Sequence, residues 1–256
     1  MARIIVFDSG LGSLSVIKSI QKQFKCDIVY FADSKNFPYG KKSIKELHNI
    51  TLNTINKLQK FFEPDAIIVG SNTLSLTLNS HFENIWTVLP PINDAKKITK
   101  TKSIAILATK SIVESKLLEK YFKNFQINAL KITKINATPL VELVESGKFY
   151  SKPKLCENII KKTLTTKFLK NNIDVVILSS THLPLLQSYF QNIFPGISFI
   201  EPSELLSKKL KQKYSSENKK RNTLQIFTSG NVISLENKLR HMGIKNKISN
   251  FSINEH

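Results

Sequence analysis

A degenerate internal repeat constrains the fold of this chain more than any other feature of its sequence. Residues 65–76, Asp-Ala-Ile-Ile-Val-Gly-Ser-Asn-Thr-Leu-Ser-Leu, align with residues 174–185, Asp-Val-Val-Ile-Leu-Ser-Ser-Thr-His-Leu-Pro-Leu. Each copy begins with aspartate, continues through four apolar residues typical of a buried strand, and places a serine just beyond it, Ser71 or Ser180. Repetition of such a unit indicates duplication into two similar domains.

Short apolar runs alternate along the chain with amphipathic stretches such as Leu14–Phe24 and Ile44–Phe62. This alternation is typical of parallel βα units, and strands that are apolar on both faces are expected where helices cover both sides of a sheet. We therefore predict an α/β fold of two similar, pseudo-twofold related domains, residues 1–94 plus 205–256 and residues 95–204. Each is a mostly parallel sheet flanked by helices, with a cleft between the two domains. The predicted strands are Arg3–Phe7, Ile28–Phe31, Ala66–Val69, Ser103–Leu107, Gln126–Leu130, Val175–Leu178, Ser198–Ile200 and Thr223–Phe227.

Polar residues follow several of these strands. Ligands of open parallel sheets bind outside the carboxyl ends of the strands. Ser71 and Ser180 occupy such ends, one in each half, and the segments 8–10 and 32–34 follow the first two strands. We expect these loops to converge on the predicted cleft.

The chain is strongly basic, with 38 Lys and Arg against 19 Asp and Glu and a net charge of +19 over 256 residues. Such a charge favours anionic partners, either nucleic acid or small dicarboxylates. The basic residues are spread along the chain, and in their densest stretch, Lys208–Arg221, only Tyr214 could stack on a base. A solvated basic face is therefore the favoured interpretation, and nucleic-acid binding is the weaker alternative.

The two cysteines, Cys26 and Cys156, form no CxxC pair and show no metal-ligand spacing. We expect incidental thiols that are buried or half-buried, and no metal site. The apolar runs are too short to cross a bilayer, and the N-terminal segment lacks the layout of a signal peptide. The expected location is the cytoplasm, without a membrane partner.

Five segments, in order, resemble the motifs of glutamate racemases. They are Phe-Asp-Ser-Gly-Leu-Gly-Ser-Leu-Ser-Val at 7–16, Phe-Ala-Asp-Ser-Lys-Asn-Phe-Pro-Tyr-Gly-Lys-Lys-Ser at 31–43, Ser-Asn-Thr at 71–73, Ser-Thr-His at 180–182 and Phe-Thr-Ser-Gly-Asn at 227–231. The resemblance implies cofactor-independent, two-base interconversion of L- and D-glutamate, or of aspartate. It also implies a small dicarboxylic amino acid bound between two domains, and a possible homodimer.

The resemblance further implies roles for individual residues. Ser71 and Ser180 stand where the family carries its two catalytic cysteines, Asp8 would assist the first of these groups, and His182 would assist the second. The implied substrate-binding residues are Ser9, Pro38, Tyr39, Gly40, Asn72, Thr73, Thr109 and Thr181.

Serine changes what this site can do. A thiol has a pKa of about 8.5, and a neighbouring group can shift it toward thiolate near neutral pH. A serine hydroxyl is a far weaker acid, whereas efficient general bases have pKa values near the operating pH. We therefore expect substrate binding with little racemisation. Further departures from the family pattern are Ile112, Leu118 and Thr138, where threonine, tyrosine and cysteine are common.

The sequence leaves four interpretations open. The chain is a glutamate racemase whose cysteines were replaced, or a natural relative that binds an amino acid or dicarboxylate without racemising it. A third possibility is another reaction assisted by Ser180 and His182, such as hydrolysis, although no G-x-S-x-G elbow is present. The fourth is a basic nucleic-acid-binding protein.

Overall fold

The computed structural model describes residues 2–78, 83–127, 129–215 and 221–251. The strands are β1 (Arg3–Asp8), β2 (Asp27–Ala32), β3 (Ala66–Val69), β4 (Ile85–Thr87), β5 (Ser103–Ala108), β6 (Lys131–Asn136), β7 (Val175–Leu178), β8 (Ser198–Ile200), β9 (Thr223–Thr228) and β10 (Ile248–Asn250). The helices are α1 (Ser13–Gln23), α2 (Ile44–Phe62), α3 (Asn72–Ser75), α4 (Ile92–Ile98), α5 (Lys110–Val113), α6 (Lys116–Phe122), α7 (Thr138–Glu145), α8 (Lys148–Ser151), α9 (Pro153–Asn171), α10 (Gln187–Ile193), α11 (Pro202–Tyr214) and α12 (Val232–His241).

The chain divides into two compact units, one of Met1–Val88 with Ser203–His256 and one of Leu89–Pro202. The first contains a six-stranded parallel sheet in the order β10-β9-β2-β1-β3-β4. The second contains a four-stranded parallel sheet in the order β6-β5-β7-β8. Helices flank both sheets, so the predicted α/β class with two parallel sheets is confirmed.

The sheet of the first unit is buried on both faces. Along β1, Ile4 and Val6 belong to one apolar cluster, while Ile5 and Phe7 belong to another. Successive side chains of a strand point to opposite faces, so two clusters mean two covered faces. This is why β1 reads as a continuous apolar run rather than an alternating one.

The internal repeat corresponds to a repeated strand order. The order β2-β1-β3-β4 in the first sheet recurs as β6-β5-β7-β8 in the second. The aspartate that opens each copy has the same function, because its carboxylate accepts backbone N–H groups at the start of the neighbouring strand. Asp65 Oδ2 accepts from Arg3 N at 2.7 Å, and Asp174 Oδ2 accepts from Thr101 N at 3.0 Å.

The structure places the unit boundary ahead of α4, whereas the sequence placed it after residue 94, inside this helix. The segment just before α4 belongs to the second unit, and the Tyr121 hydroxyl donates to the carbonyl of Pro90 in this segment at 2.8 Å. A boundary at 94 would divide a hydrogen-bonded helix, so the chain changes units in the extended segment before it. The chain re-enters the first unit between residues 202 and 203, whereas the sequence predicted this second boundary between residues 204 and 205.

The predicted strand Gln126–Leu130 is wrong, because the strand is β6, which begins at Lys131 and pairs with β5 from Ser103 onward. Asn128 lies outside the described residues. The edge strands β4 and β10 were not predicted. Each has three residues, and an edge strand is held by backbone pairing on one side, so its side chains need not form an apolar run.

The two cysteines are free thiols. Cys26 and Cys156 are both buried, and burial raises the pKa of the Cys156 thiol to about 11. Within the ranges that the structure describes, no group of three His, Cys, Asp or Glu side chains is placed to hold a metal ion. No helix in those ranges is both long and apolar enough to span a membrane.

Candidate active site

The strand register brings polar residues to one edge of the first sheet. Asp8 is paired with Ala32, and Ala32 with Thr228, while Phe7 is paired with Val69. Because all these strands are parallel, the residues that follow them emerge at their common carboxyl edge. This places Asp8, Ser9, Asp33, Ser71 and Ser229 on that edge of the unit.

Asp8 is a buried carboxylate at the end of β1, only 3% exposed. The backbone N–H of Ser9, itself buried, donates to Asp8 Oδ1 at 2.7 Å. The Tyr30 hydroxyl donates to the carbonyl of Gly10 at 2.7 Å and fixes the loop that follows. These contacts hold the Asp8 carboxylate at the carboxyl edge of the sheet, next to the end of β3, which Ser71 follows.

Asp33 fixes a second loop at the same edge of the sheet. The sequence analysis did not predict a role for this residue. Its carboxylate accepts hydrogen bonds from Tyr39 Oη at 2.9 Å, Asn36 Nδ2 at 2.8 Å and Ser229 Oγ at 2.9 Å. It therefore joins the loop after β2 to the end of β9. The only sequence signal was its place in the strand-end segment 32–34.

Tyr39 is buried, with Pro38 and Gly40 half-buried on either side. Burial raises the pKa of Tyr39 well above its ordinary value, and the carboxylates of Asp33 and Asp8 raise it further. The phenol is therefore protonated at neutral pH and donates to Asp33. Its hydroxyl anchors the loop that the sequence assigned to the substrate.

We expect Gly230→Ala to destabilise this corner of the first unit. A Cβ at Gly230 would lie 2.6 Å from the Cβ of Ser34, an atom that cannot rotate away from its backbone. The 34–39 loop would have to shift, at a cost of roughly 1–3 kcal/mol. Gly196→Ala is the matched control, because its Cβ would meet nothing within 4 Å. Urea unfolding that shows equal losses for the two variants would contradict this account.

Ser71 follows β3 and is 7% exposed, and its side chain does not cap α3. The next residue, Asn72, is buried and donates from Nδ2 to the carbonyl of Val88 at 2.7 Å. Its Oδ1 is buried without a hydrogen-bond partner among the described residues. Thr73 is half-buried on α3. The Nδ2 group of Asn72 therefore has a structural role, because it binds the backbone at Val88. The sequence did not predict this role.

Ser180 and His182 follow β7 in the second unit and are brought together. Ser180 Oγ lies 3.5 Å from His182 Nδ1. The other ring nitrogen, Nε2, lies 2.7 Å from Oε1 of Glu145, the last residue of α7. All three residues are at most 9% exposed. Glu145 was missed as a functional residue; the available signal was an acidic residue among buried apolar neighbours of α7.

The remaining candidates of the second unit lie at the ends of β5 and β7. Thr109 directly follows β5, and its hydroxyl is 3.1 Å from that of Ser111. The neighbouring N–H of Lys110 donates to the Thr138 hydroxyl at 2.9 Å, which ties this loop to α7. Thr181 is buried between Ser180 and His182. Within each unit, the candidates predicted from the sequence therefore share the carboxyl edge of one sheet.

Solved structures identify the class of protein that has this fold. The structure is similar to a glutamate racemase isoform from Bacillus anthracis, with a TM-score of 0.82 and 26% identity, covering 98% of this chain and 97% of the other. It is also similar to Escherichia coli glutamate racemase in complex with L-glutamate and an activator, with a TM-score of 0.80 and 22% identity, covering 98% of both chains. The fold is that of the two-unit α/β amino-acid racemases.

Sequence comparison narrows this class to one family. A glutamate racemase of Buchnera aphidicola subsp. Schizaphis graminum is 31% identical over 231 residues, covering 86% of this chain and 88% of the relative. No protein-family model matches the chain. The chain belongs to the glutamate racemase family.

Proposed function

We propose that this protein binds glutamate and, with serines at 71 and 180, racemises it only very slowly. The observation that carries the proposal is the Ser180–His182–Glu145 arrangement at the end of β7. A histidine oriented by a buried carboxylate is an acid–base group, and it lies beside the position where the family resemblance places a catalytic thiol.

Each unit taken by itself has polar groups at its strand ends that suit an amino-acid ligand. The first unit offers the Asp8 carboxylate, Asn72 and Thr73, and the second offers the hydroxyls of Thr109 and Thr181. One of the structurally similar racemases was solved with L-glutamate. The net charge of +19 favours approach of a dicarboxylate. Aspartate has the same charged groups, so it is the second ligand to test.

The acidity of serine supports slow turnover. Removing the α-proton of an amino acid requires a base with a pKa near the operating pH, which a serine hydroxyl does not have. At Ser71 the neighbouring strand end carries a carboxylate, Asp8, and at Ser180 the neighbour is His182. These neighbours are suited to assist a thiol, whereas neither makes an alkoxide abundant at neutral pH.

Ligand binding and α-proton exchange test the two parts of this proposal separately. We expect saturating L- or D-glutamate to stabilise the protein by about 2.7 kcal/mol at a concentration of 100 Kd. In deuterated water, the α-proton of bound glutamate should be retained in NMR spectra. Lysine should not stabilise the protein, because it lacks the second carboxylate.

A pair of matched variants locates the ligand. Thr73→Val removes a half-buried hydroxyl from α3, just beyond β3, and should weaken glutamate binding by about 1 kcal/mol. Thr165→Val removes a half-buried hydroxyl from α9 and should leave binding unchanged. Absence of stabilisation by glutamate and aspartate alike would refute the binding proposal, and rapid exchange in the unaltered chain would refute slow turnover.

A further inference from the structure

Three side chains of the second unit form a line from a hydroxyl to a carboxylate. Ser180 Oγ lies 3.5 Å from His182 Nδ1, and His182 Nε2 lies 2.7 Å from Glu145 Oε1. Both contacts are buried. Because a carboxylate only accepts hydrogen bonds, the neutral imidazole that suits this pair has its proton on Nε2, and its Nδ1 lone pair then faces Ser180.

We propose that Ser180 is a covalent nucleophile toward small activated carboxylic esters, with His182 as its base and Glu145 as the residue that positions His182. A hydroxyl that is a poor base toward a carbon acid becomes a good nucleophile when a neighbouring base takes its proton as the new bond forms. A serine, a histidine and a carboxylate in sequence provide this arrangement on unrelated folds. The proposal goes beyond glutamate binding and does not depend on it.

The reaction balances without any further reagent. Ser180 Oγ adds to the ester carbonyl carbon as its proton moves to His182 Nδ1, and the resulting imidazolium is stabilised by the Glu145 carboxylate. The tetrahedral intermediate expels the alcohol, which takes the proton from Nδ1, and leaves an acyl group on Ser180. Water then repeats the two steps, so that ester and water give acid and alcohol. Since Ser180 is only 7% exposed, small acyl groups such as acetyl fit best.

The two strand-end serines should therefore differ in reactivity. Among the residues that the structure describes, His182 is hydrogen-bonded to Ser180, and no histidine is hydrogen-bonded to Ser71. The end of the strand beside Ser71 carries Asp8, whose carboxylate accepts from the N–H of Ser9. The repeat places a serine at positions 71 and 180. Among the described residues, the histidine–carboxylate pair, His182 with Glu145, lies beside Ser180 and not beside Ser71.

A fluorophosphonate probe tests this on the full chain, because it forms a stable adduct with activated serines. We expect one adduct, mapped by mass spectrometry to Ser180 and absent from Ser180→Ala. Glu145→Gln keeps the shape of the side chain but removes its charge, and should slow labelling by roughly 10²-fold. Ser146→Ala, an exposed serine next to Glu145, should label at the unaltered rate.

Thermal unfolding midpoints should accompany each rate, so that loss of labelling is separated from loss of fold. If Glu145→Gln does not fold, His182→Gln, which removes the base itself, should slow labelling of Ser180 at least as much. Hydrolysis of p-nitrophenyl acetate should fall in parallel with labelling in these variants. The proposal is overturned if Ser180 remains unlabelled, if other serines label equally fast, or if folded Glu145→Gln labels at the original rate. None of these outcomes bears on whether glutamate binds.

Discussion

Replacing Ser71 and Ser180 together with cysteine is expected to raise the rate of glutamate α-proton exchange by at least about 10²-fold, since a positioned acid or base contributes roughly 10²–10⁴-fold. The physical reason is the acidity of the group at each strand end. A thiol beside Asp8 or His182 can supply thiolate near neutral pH, whereas a hydroxyl cannot supply alkoxide. The scaffold, the adjacent carboxylate and the histidine are already in place.

NMR measurement of α-deuterium incorporation in deuterated water gives the result directly. The single variants sharpen the test, because in a two-base reaction each group serves one face of the α-carbon. Ser71→Cys and Ser180→Cys should therefore promote exchange from opposite enantiomers. A control pair, Ser115→Cys with Ser146→Cys, adds two thiols away from the strand ends and should leave exchange at the starting level. A double strand-end variant that exchanges neither glutamate nor aspartate would refute the racemase assignment of these serines.

Glu145→Ala is expected to lower the free energy of unfolding of the second unit by about 1.5–3 kcal/mol, the range for a hydrogen bond to a charged group. Its carboxylate is 9% exposed and lies 2.7 Å from His182 Nε2. Glu142→Ala is the matched control, because Glu142 is exposed on the same helix. Its effect should stay within about 0.5 kcal/mol. Glu145→Gln should fall between them, since its amide oxygen can still accept from Nε2.

Urea unfolding should be followed by circular dichroism rather than by tryptophan fluorescence. The single tryptophan, Trp86, lies in β4 of the first unit, whereas Glu145 lies in the second, and circular dichroism follows the helices of both units. Similar losses for Glu145→Ala and Glu142→Ala would show that the contact with His182 contributes nothing to stability. The buried pair would then have to be explained by function alone.

The central strands were predictable because burial imposes a simple pattern. The strands β1, β3 and β7 are covered on both faces, so nearly every residue in them must be apolar. The two copies of the repeat coincide with β3 and β7 and their following serines, which occupy equivalent places in two sheets of the same strand order.

Three of the four edge strands that the structure describes were missed or misplaced, whereas the edge strand β8 was predicted at its observed bounds. The strand β6 contains Lys131 and Lys134 and was placed too early in the sequence. An edge strand is specified by the backbone of its neighbour, here β5, and its exposed side chains carry little information about where pairing begins. The short strands β4 and β10 escaped prediction for the same reason.

Glu145 and Asp33 show what sequence reasoning misses at a site. Glu145 is 37 residues from His182 along the chain, and Asp33 is 196 residues from Ser229. Each pair is formed by a tertiary contact between side chains on separate elements. A carboxylate has the same identity in the sequence whether it is solvated or buried against a histidine, so its role depends on its neighbours in space.

The sequence by itself determined the α/β class, the duplicated strand and the presence of serine at both strand ends, because apolar periodicity and side-chain acidity are properties of residues in their local order. The tertiary structure alone decided that Ser180 faces a histidine held by Glu145, because hydrogen bonds between distant residues depend on how elements pack. The ends of β3 and β7 are equivalent positions in two sheets of the same strand order. The different neighbours of Ser71 and Ser180 give them different chemistry.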